Sequence, residues 1–151
     1  MEQINNAKLL LQEFNGHILV MGKTGSGKSN ILHEANIQDA KYFDFVEITR
    51  DFPLEPTSSL TELNFDGINL ICNFLDASER TLILDSVEIA YNHNDSKIIR
   101  LIKVARKYGK RLIVVAYPYD AEKIKDHFGA VITMFRHDGT VSCDIEVLHD
   151  M

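Results

Sequence analysis

The chain has 151 residues, most simply one domain, and it is long enough to bury a sizeable core. Hydrophobic residues make up 45% of it and charged residues 25%, which is the ordinary composition of a soluble globular protein. No apolar run approaches the roughly 18 residues that span a bilayer, and the N-terminus lacks the pattern of a signal peptide. We therefore expect no membrane segment and a cytoplasmic location.

The net charge of −6 is unevenly distributed along the chain. Seven basic residues and no acidic one lie between residues 97 and 111, so the rest has nine basic and 22 acidic side chains, a balance of −13. Such a protein is not a general nucleic-acid coat, but the basic segment is compatible with contact to phosphate. Cys72 and Cys143 fit no metal-binding spacing and are expected to be reduced and buried; the six scattered histidines are not expected to be ligands.

Helical and strand patterns alternate in the first third of the chain. Residues 3–13 are predicted to form a short amphipathic helix, because apolar residues recur there at helical spacing. A turn at 15–16 leads into an apolar strand at 17–21, and a helix is expected at about 28–35. The aromatic and β-branched run at 41–49 predicts a second strand.

The middle of the chain opens with a segment, residues 50–67, that contains two prolines and several turn formers and is predicted to be a surface loop. Residues 67–76 are predicted to be helical and residues 81–85 to form a third strand. Asp95 or Ser96 is expected to cap the next helix, which carries five of the seven basic residues of segment 97–111.

The last third begins where Gly109 is expected to end that basic helix. The apolar run at 111–117 is typical of a buried parallel strand, and a short helix is expected around 121–127. The final elements are two strands, 130–136 and 141–148, joined by a His-Asp-Gly hairpin turn. The alternation predicts a three-layer α/β domain with a largely parallel central sheet and an antiparallel C-terminal hairpin.

The run GKTGSGKS at residues 22–29 matches the phosphate-loop pattern GxxxxGK[ST] at every defined position, between an apolar strand and a helix-forming segment. Glycines let the backbone curl so that N–H groups surround phosphate oxygens, and the helix N-terminus adds a favourable dipole. In such a loop Lys28 reaches the β- and γ-phosphates of ATP and the Ser29 hydroxyl ligates Mg²⁺. The residues expected to contact the nucleotide are Gly22, Lys23, Thr24, Gly25, Ser26, Gly27, Lys28, Ser29 and Asn30.

Asp85, at the end of the third predicted strand, is the expected second ligand of Mg²⁺, through the water shell of the ion. Hydrolysis also needs a group that orients the attacking water, and the next residue, Ser86, cannot act as a base. Two glutamates remain open as the base: Glu88, three residues after Asp85, and Glu47, near the end of the second predicted strand.

Three further residues are candidates for contact with the γ-phosphate. Tyr117, at the end of the fourth predicted strand, is placed as a polar sensor or as a packing residue. Arg106, near the end of the basic helix, can point into the site of a neighbouring subunit and stabilise charge in the transition state. Arg136, on the hairpin, is a second candidate for that role.

The run HILVMGKTGSGKSNIL (17–32) resembles the Walker A region of the HerA/FtsK superfamily of DNA-pumping ATPases. ARKYGKRLIVVAYPYD (105–120) and ITMFR (132–136) resemble later stretches of the same proteins. The resemblance implies a RecA-like ATPase core that forms a ring, usually a hexamer, and couples ATP hydrolysis to movement of DNA or of a DNA–protein complex. By position it makes Lys28 and Ser29 the Walker A pair, Asp85 the Walker B acid, Arg106 the finger that acts in trans and Tyr117 the sensor.

The chain departs from this superfamily in three ways. Ser86 stands where a glutamate is usual, Tyr117 where a glutamine is usual, and the short chain has no accessory domain. The stretches LILDSVEIA (82–90) and LIKVARKYGKRLIVV (101–115) also resemble RecA and its relatives, in which Asp-Ser is normal. In those proteins the catalytic glutamate ends the second strand, which favours Glu47.

Three classes of function fit these features. The leading hypothesis is a minimal HerA/FtsK- or RecA-type ATPase of a phage or plasmid, acting on DNA as a homo-oligomer in the cytoplasm of a bacterium or a virus-infected host, with or without a partner protein. A small nucleoside or nucleotide kinase is the second, although residues 51–64 contain no Arg or Lys for a phosphate lid. The third is a regulatory ATP-binding module with weak hydrolysis, which Ser86 favours. A GTPase lacks support, because no NKxD-type motif ends a strand.

Overall fold

The computed structural model describes residues 2–23, 25–44, 76–87, 94–117, 121 and 124–148. In chain order their elements are α1 (Glu2–Glu13), β1 (Ile18–Gly22), α2 (Lys28–Ala35), β2 (Ala40–Asp44), β3 (Thr81–Val87), α3 (Asn94–Lys107), β4 (Arg111–Ala116), a 3-10 helix (Lys125–His127), β5 (Ala130–His137) and β6 (Thr140–Val147). The predicted loop at 50–67, most of the predicted helix at 67–76 and the last five residues of the predicted second strand lie outside the described residues.

The strands form one six-stranded sheet in the order β2-β3-β4-β1-β5-β6. Strands β1 to β5 all run parallel to one another, and β6 pairs antiparallel with β5. This confirms the predicted α/β class, the largely parallel sheet and the terminal hairpin. Because β4 lies between β1 and β3, the ends of these three strands meet at each edge of the sheet.

Helices cover both faces of the sheet, which therefore forms the middle of three layers. Alternate residues of β1 divide between the faces: Ile18 and Val20 belong to a core that includes α1 and α2, whereas Leu19 and Met21 belong to a core that includes α3. A strand buried on both faces has no polar side, and all six residues of β4 are buried. The continuous apolar runs of the sequence therefore follow from this layered packing.

The two ends of α3 differ in how well the sequence predicts them. The helix begins at Asn94, so the expectation that Asp95 or Ser96 caps it is wrong; both lie in its first turn. Asn, Asp and Ser are all common at helix starts, so a run of them does not single out the first residue. Gly109 ends the helix as predicted: it has φ +70°, and the Lys110 N–H donates to the Ala105 carbonyl at 2.8 Å.

The C-terminal hairpin turns more tightly than the sequence predicts. Asp138 and Gly139 both have positive φ, +50° and +78°, as a two-residue type I′ turn requires. His137 pairs with Thr140 and belongs to β5, so the turn is Asp-Gly rather than His-Asp-Gly. Of the predicted helix at 121–127, Ala121 is helical and Lys125–His127 form a 3-10 turn, while residues 122 and 123 lie outside the described residues. Within the described residues, none of the helices has the length and apolarity needed to cross a bilayer.

Candidate functional site

The glycine-rich loop connects the carboxyl end of β1 with the first turn of α2. Gly25 and Gly27 have φ values of +78° and +99°, a left-handed conformation that side-chain-bearing residues rarely adopt. A Cβ atom on Gly27 would also lie 3.2 Å from Cγ1 of Val141, so β6 supports the loop from beneath. The backbone therefore curls as a phosphate cradle requires. Thr24 lies outside the described residues.

Gly22 is required by close packing rather than by its backbone angles. A Cβ there would lie 2.3 Å from Oγ of Ser26 and 2.9 Å from the Met134 carbonyl oxygen. The Ser26 hydroxyl is buried and has no hydrogen-bond partner among the described residues. The loop is thus packed tightly on β5, and any side chain at Gly22 would push it out of place.

The backbone N–H groups in the first turn of α2 face the loop without a capping side chain or a nearby acidic residue. Its N-cap is Gly27, which offers no side-chain hydrogen bond, and its first turn contains no acidic residue. The first N–H groups of a helix have no partner within the helix, and its dipole favours an anion at this end. Asn30 is exposed in this turn, next to Lys28 and Ser29. A phosphate group would satisfy these donors.

Lys28 is folded back over the mouth of the loop. Its Nζ donates to the carbonyl oxygens of Gly22 and, at 3.0 Å, of Lys23. It also lies 4.7 Å from the centroid of the Tyr117 ring, within the range of a cation–π contact. Burial lowers the pKa of this ammonium, and the negative charge of Asp85 partly opposes that shift. The cation is therefore already at the position where negative charge would be bound.

Ser29 and Asp85 approach each other across the gap between α2 and β3. The Ser29 hydroxyl donates to Oδ2 of Asp85 at 3.5 Å, a long hydrogen bond. The pairing of β3 with β4 shifts register between Leu84 and Val87, so Asp85 lies at an irregularity of the strand. Such irregularities re-aim side chains.

This pair of oxygens fits Mg²⁺. The Ser29 hydroxyl would bind the ion directly, and the Asp85 carboxylate, 3.5 Å from it, would accept a hydrogen bond from a water that the ion holds. No group of three or more His, Cys, Asp or Glu side chains among the described residues could hold a metal ion. Magnesium usually keeps several waters and binds through one or two protein oxygens plus phosphate, so two side chains are sufficient.

Tyr117 directly follows β4, the strand between the loop strand β1 and the acid strand β3. Its side chain is 42% exposed and its ring faces the Lys28 ammonium. The structure thus brings Lys28, Ser29, Asp85 and Tyr117 together at the carboxyl edge of the sheet, which we call the loop edge.

Arg106 lies at the other edge of the sheet. It is in the last turn of α3, just before the amino end of β4, and lines a cavity with His17 at the amino end of β1. The six residues of β4 separate it from the loop edge by about 20 Å at roughly 3.3 Å per residue. Arg136 follows Met134, the partner of Gly22, and so lies near the loop edge. Glu47 and Glu88, the two candidate bases, lie outside the described residues.

A stacked pair beside Asp85 was not predicted from the sequence. The rings of His33 on α2 and Tyr42 on β2 are 5.5 Å apart and inclined by 13°. Burial raises the pKa of the Tyr42 hydroxyl, and the negative charge of Asp85 raises it further. Tyr42 therefore lies in the field of the acid. His33 is four residues after Ser29 and so lies one turn further along α2. Its contact with Tyr42 could not be predicted from that spacing, because it depends on β2 lying beside β3.

No family model and no curated protein sequence matches the chain. Among solved structures, the crystal structure of Bacteroides sp. Pif1 in complex with ADP-AlF4 matches with a TM-score of 0.46 and 16% identity. The match covers 83% of this chain and 36% of the Pif1 chain, so this chain spans about a third of that protein. The chain has a P-loop NTPase fold. That fold is carried by the strand order, the glycine loop and the acid on β3 described above; membership of the HerA/FtsK superfamily remains a prediction.

Proposed function

We propose that this protein is a Mg²⁺-dependent ATPase. One observation carries the proposal: Lys28, Ser29 and Asp85 converge at the loop edge, with the Ser29 and Asp85 oxygens 3.5 Å apart. An ammonium, a hydroxyl and a carboxylate at the mouth of a left-handed glycine loop are the groups that bind a triphosphate and its metal ion. The Ser29 oxygen would hold Mg²⁺ directly and the Asp85 carboxylate through water.

Binding of ATP would exchange one set of hydrogen bonds for a stronger one. Lys28 would move from the loop carbonyls of Gly22 and Lys23 to the β- and γ-phosphates. Charge-assisted hydrogen bonds to phosphate are roughly twice as strong as bonds between neutral groups. Mg²⁺, when bound, supplies the neutralisation of the phosphate charge. The loop amides and the first turn of α2 would hold the remaining phosphate oxygens.

Two residues are proposed to act on the attacking water. The Tyr117 hydroxyl is proposed as the sensor, because its ring already contacts Lys28. Glu47 or Glu88 is proposed as the base. The backbone of Asp44, the last residue of β2, pairs with that of Asp85, and Glu47 is three residues further along the sequence; Glu88 directly follows β3.

Action on DNA as a ring-shaped homo-oligomer, in translocation, packaging, transfer or recombination, is the finer part of the proposal. Arg106 supports it, because an arginine at the edge opposite the loop lies too far from the nucleotide of its own chain but can contact that of a neighbouring copy. The basic residues of α3 also support it: Arg100, Lys103 and Lys107 are exposed and supply the positive charge that contact with DNA phosphates needs. The resemblance of the loop to the HerA/FtsK superfamily also supports both the ring-shaped oligomer and the action on DNA.

A mixing experiment tests the finer proposal. Lys28→Ala and Arg106→Ala subunits are each expected to be inactive alone, and mixtures should regain DNA-stimulated hydrolysis, because an Arg106 from one subunit completes an intact loop in another. Sizing with and without ATP and DNA should show an oligomer. A protein that stays monomeric, hydrolyses ATP without regard to DNA and shows no complementation would refute the trans-acting finger and the action on DNA.

A regulatory module with weak hydrolysis is the second candidate, and Ser86 after Asp85 favours it. Single-turnover hydrolysis separates the two. An active ATPase should lose its rate in Glu47→Gln or Glu88→Gln, whereas in a regulatory module both variants should match the slow wild-type protein.

A further inference from the structure

A positively charged cavity lies at the amino edge of the sheet, opposite the phosphate loop. It has a volume of about 270 Å³ and is lined by Asn15, Gly16, His17, Arg80, Arg106, Gly109, Lys110 and Arg111. These residues come from three separate stretches of chain that meet because β3, β4 and β1 are neighbours. Four of them are cationic, and none of the described lining residues is acidic. The Asp39 carboxylate lies beside this group, where its Oδ2 accepts a hydrogen bond from the Arg80 backbone N–H at 3.1 Å. The remaining excess of positive charge would favour a bound anion.

Two of the cations are held by the fold itself. The Arg111 guanidinium donates to the carbonyl oxygens of Leu11 and Phe14 and so caps the C-terminal end of α1. Lys110 donates to the carbonyl oxygens of Ala77 at 2.6 Å and Glu79 at 2.8 Å. These contacts go to neutral acceptors, so they fix the two side chains without cancelling their charge.

Several arginine N–H groups around the cavity make no hydrogen bond to the described residues. The side chain of Arg111 is only 5% exposed, yet its buried Nε has no hydrogen-bond partner within the described part of the chain. A buried donor without a partner is rare in proteins and commonly marks a site for a water or an ion. The side chain of Arg106 makes no hydrogen bond or ion pair with any described residue. The side chain of Arg80 makes one hydrogen bond, to Asn15 Oδ1 at 3.4 Å.

His17 adds a neutral donor to the same cavity. Its Nδ1 accepts a hydrogen bond from the Leu112 N–H at 2.9 Å, so the proton of the neutral ring is on Nε2. Burial, together with the positive charges of Arg106 and Arg111, lowers the pKa of His17 to about 4. At neutral pH the ring therefore adds a donor to the cavity without adding a fifth positive charge.

We propose that this cavity is a second phosphate-binding site, which takes the phosphate group of a small free anion such as pyrophosphate or a phosphomonoester. Arginine guanidinium groups bind phosphate with paired hydrogen bonds, and the exposed guanidinium groups of Arg80 and Arg106 would supply them here. The volume is slightly below the range of about 300–1,000 Å³ found for sites of drug-sized ligands, and it suits a small anion. The site does not depend on ATP hydrolysis at the loop edge.

Pyrophosphate binding to a Lys28→Ala protein tests the proposal, because this variant removes the phosphate loop as a competing site. Titration calorimetry should show one pyrophosphate bound per chain. Adding Arg106→Gln or Arg80→Gln should weaken that binding at least about tenfold, since each removes one charged donor. Lys8→Gln, a matched loss of charge on α1 at a lysine that pairs with Glu34 at 2.9 Å and does not line the cavity, should leave it unchanged.

A second readout does not depend on variants at the site. In the Lys28→Ala protein, bound pyrophosphate should shift the NMR resonances of the His17 imidazole and raise its pKa, because the anion offsets the charges of Arg106 and Arg111. Absence of binding, binding that ignores both arginine substitutions, or binding seen only when chains associate would each overturn the proposal. In the last case the cavity would be part of a contact between copies. The first two outcomes do not bear on ATP hydrolysis, which is measured in the protein with Lys28 intact. The last would favour the proposed action of Arg106 at the ATP site of a neighbouring copy.

Discussion

The loop edge and the amino edge of the sheet differ in the charge of the side chains that they carry. The loop edge has flexible glycines, one lysine folded onto carbonyl oxygens and a carboxylate beside a hydroxyl, so it carries both signs of charge. The amino edge has four cations and a neutral histidine around a cavity of about 270 Å³. A metal–triphosphate needs ligands of both kinds, whereas a bare phosphate needs only donors. The contrast teaches that one parallel sheet can offer two phosphate sites of different chemistry.

The largest expected effect is the loss of hydrolysis in Lys28→Ala. Removing a cation that reaches the β- and γ-phosphates should lower the ATPase rate by about 10³-fold, as measured by phosphate release. Lys8→Ala is the matched control, because its ammonium pairs with Glu34 at 2.9 Å on the outer surface and touches neither edge. A Lys28→Ala protein with wild-type activity would show that the loop edge is not the site of hydrolysis.

Asp85→Asn should lower the ATPase rate by at least about 10²-fold and weaken its dependence on Mg²⁺ concentration. The amide keeps the size of the side chain but loses the negative charge that holds the hydrated ion. Asp126→Asn, at an exposed residue of the 3-10 helix, serves as the control. An unchanged magnesium dependence in Asp85→Asn would separate Asp85 from the metal.

Because of His17 at the amino edge, the free energy of unfolding should decrease in mild acid. His17 has a pKa of about 4 in the folded protein and 6.5 as the ordinary value, so the unfolded chain takes up a proton that the folded chain excludes. Stability should therefore fall as the pH decreases from 6.5 towards 4, by about 2 kcal/mol between pH 7 and pH 5. Urea unfolding at the two pH values measures this.

The control for that pH effect is His17→Gln, which can still accept the Leu112 N–H but does not titrate. The variant should lose this part of the pH dependence, while the contribution of carboxylates remains. Equal pH dependence in both proteins would mean that His17 is not held neutral by burial and by Arg106 and Arg111.

The smallest expected effect is that of Tyr117→Phe at the loop edge. The substitution keeps the ring over Lys28 but removes the hydroxyl proposed to sense the γ-phosphate. The turnover rate should fall about fivefold, the value of one hydrogen bond, with little change in ATP affinity. Tyr108→Phe, at a tyrosine that is 54% exposed after α3, should leave both constants unchanged. A fall in affinity without a fall in rate would make Tyr117 a packing residue.

Contiguous patterns of the sequence predicted most of the fold and the loop. Residues 22–29 carry their own glycines, lysine and serine, and the apolar runs of β1 and β4 predict buried parallel strands without further information. The predicted start of α3 is two or three residues too late, because several polar residues there are equally good helix starts. The Asp-Gly turn was missed by one residue because pairing of His137 is decided by the partner strand.

Features that depend on strand neighbours could not be predicted. His33 and Tyr42 stack only because β2 lies beside β3, and their numbers in the sequence do not suggest it. The basic cavity likewise gathers His17, Arg80 and Arg106 from distant stretches. The sequence placed Arg106 correctly near the end of a basic helix. That Arg106 and the phosphate loop lie at opposite edges of the sheet follows from the parallel pairing of β1 with β4, since the loop follows β1 and Arg106 precedes β4.

A titration of ATP against the intact protein, with and without Mg²⁺, tests the central claim most directly. One ATP should bind per chain when Mg²⁺ is present; the binding should be lost in Lys28→Ala, weakened without Mg²⁺ and retained in the amino-edge variant Arg106→Gln. Binding that survives Lys28→Ala but disappears in Arg106→Gln would place the nucleotide at the amino edge and contradict the assignment of the loop edge as the ATP site.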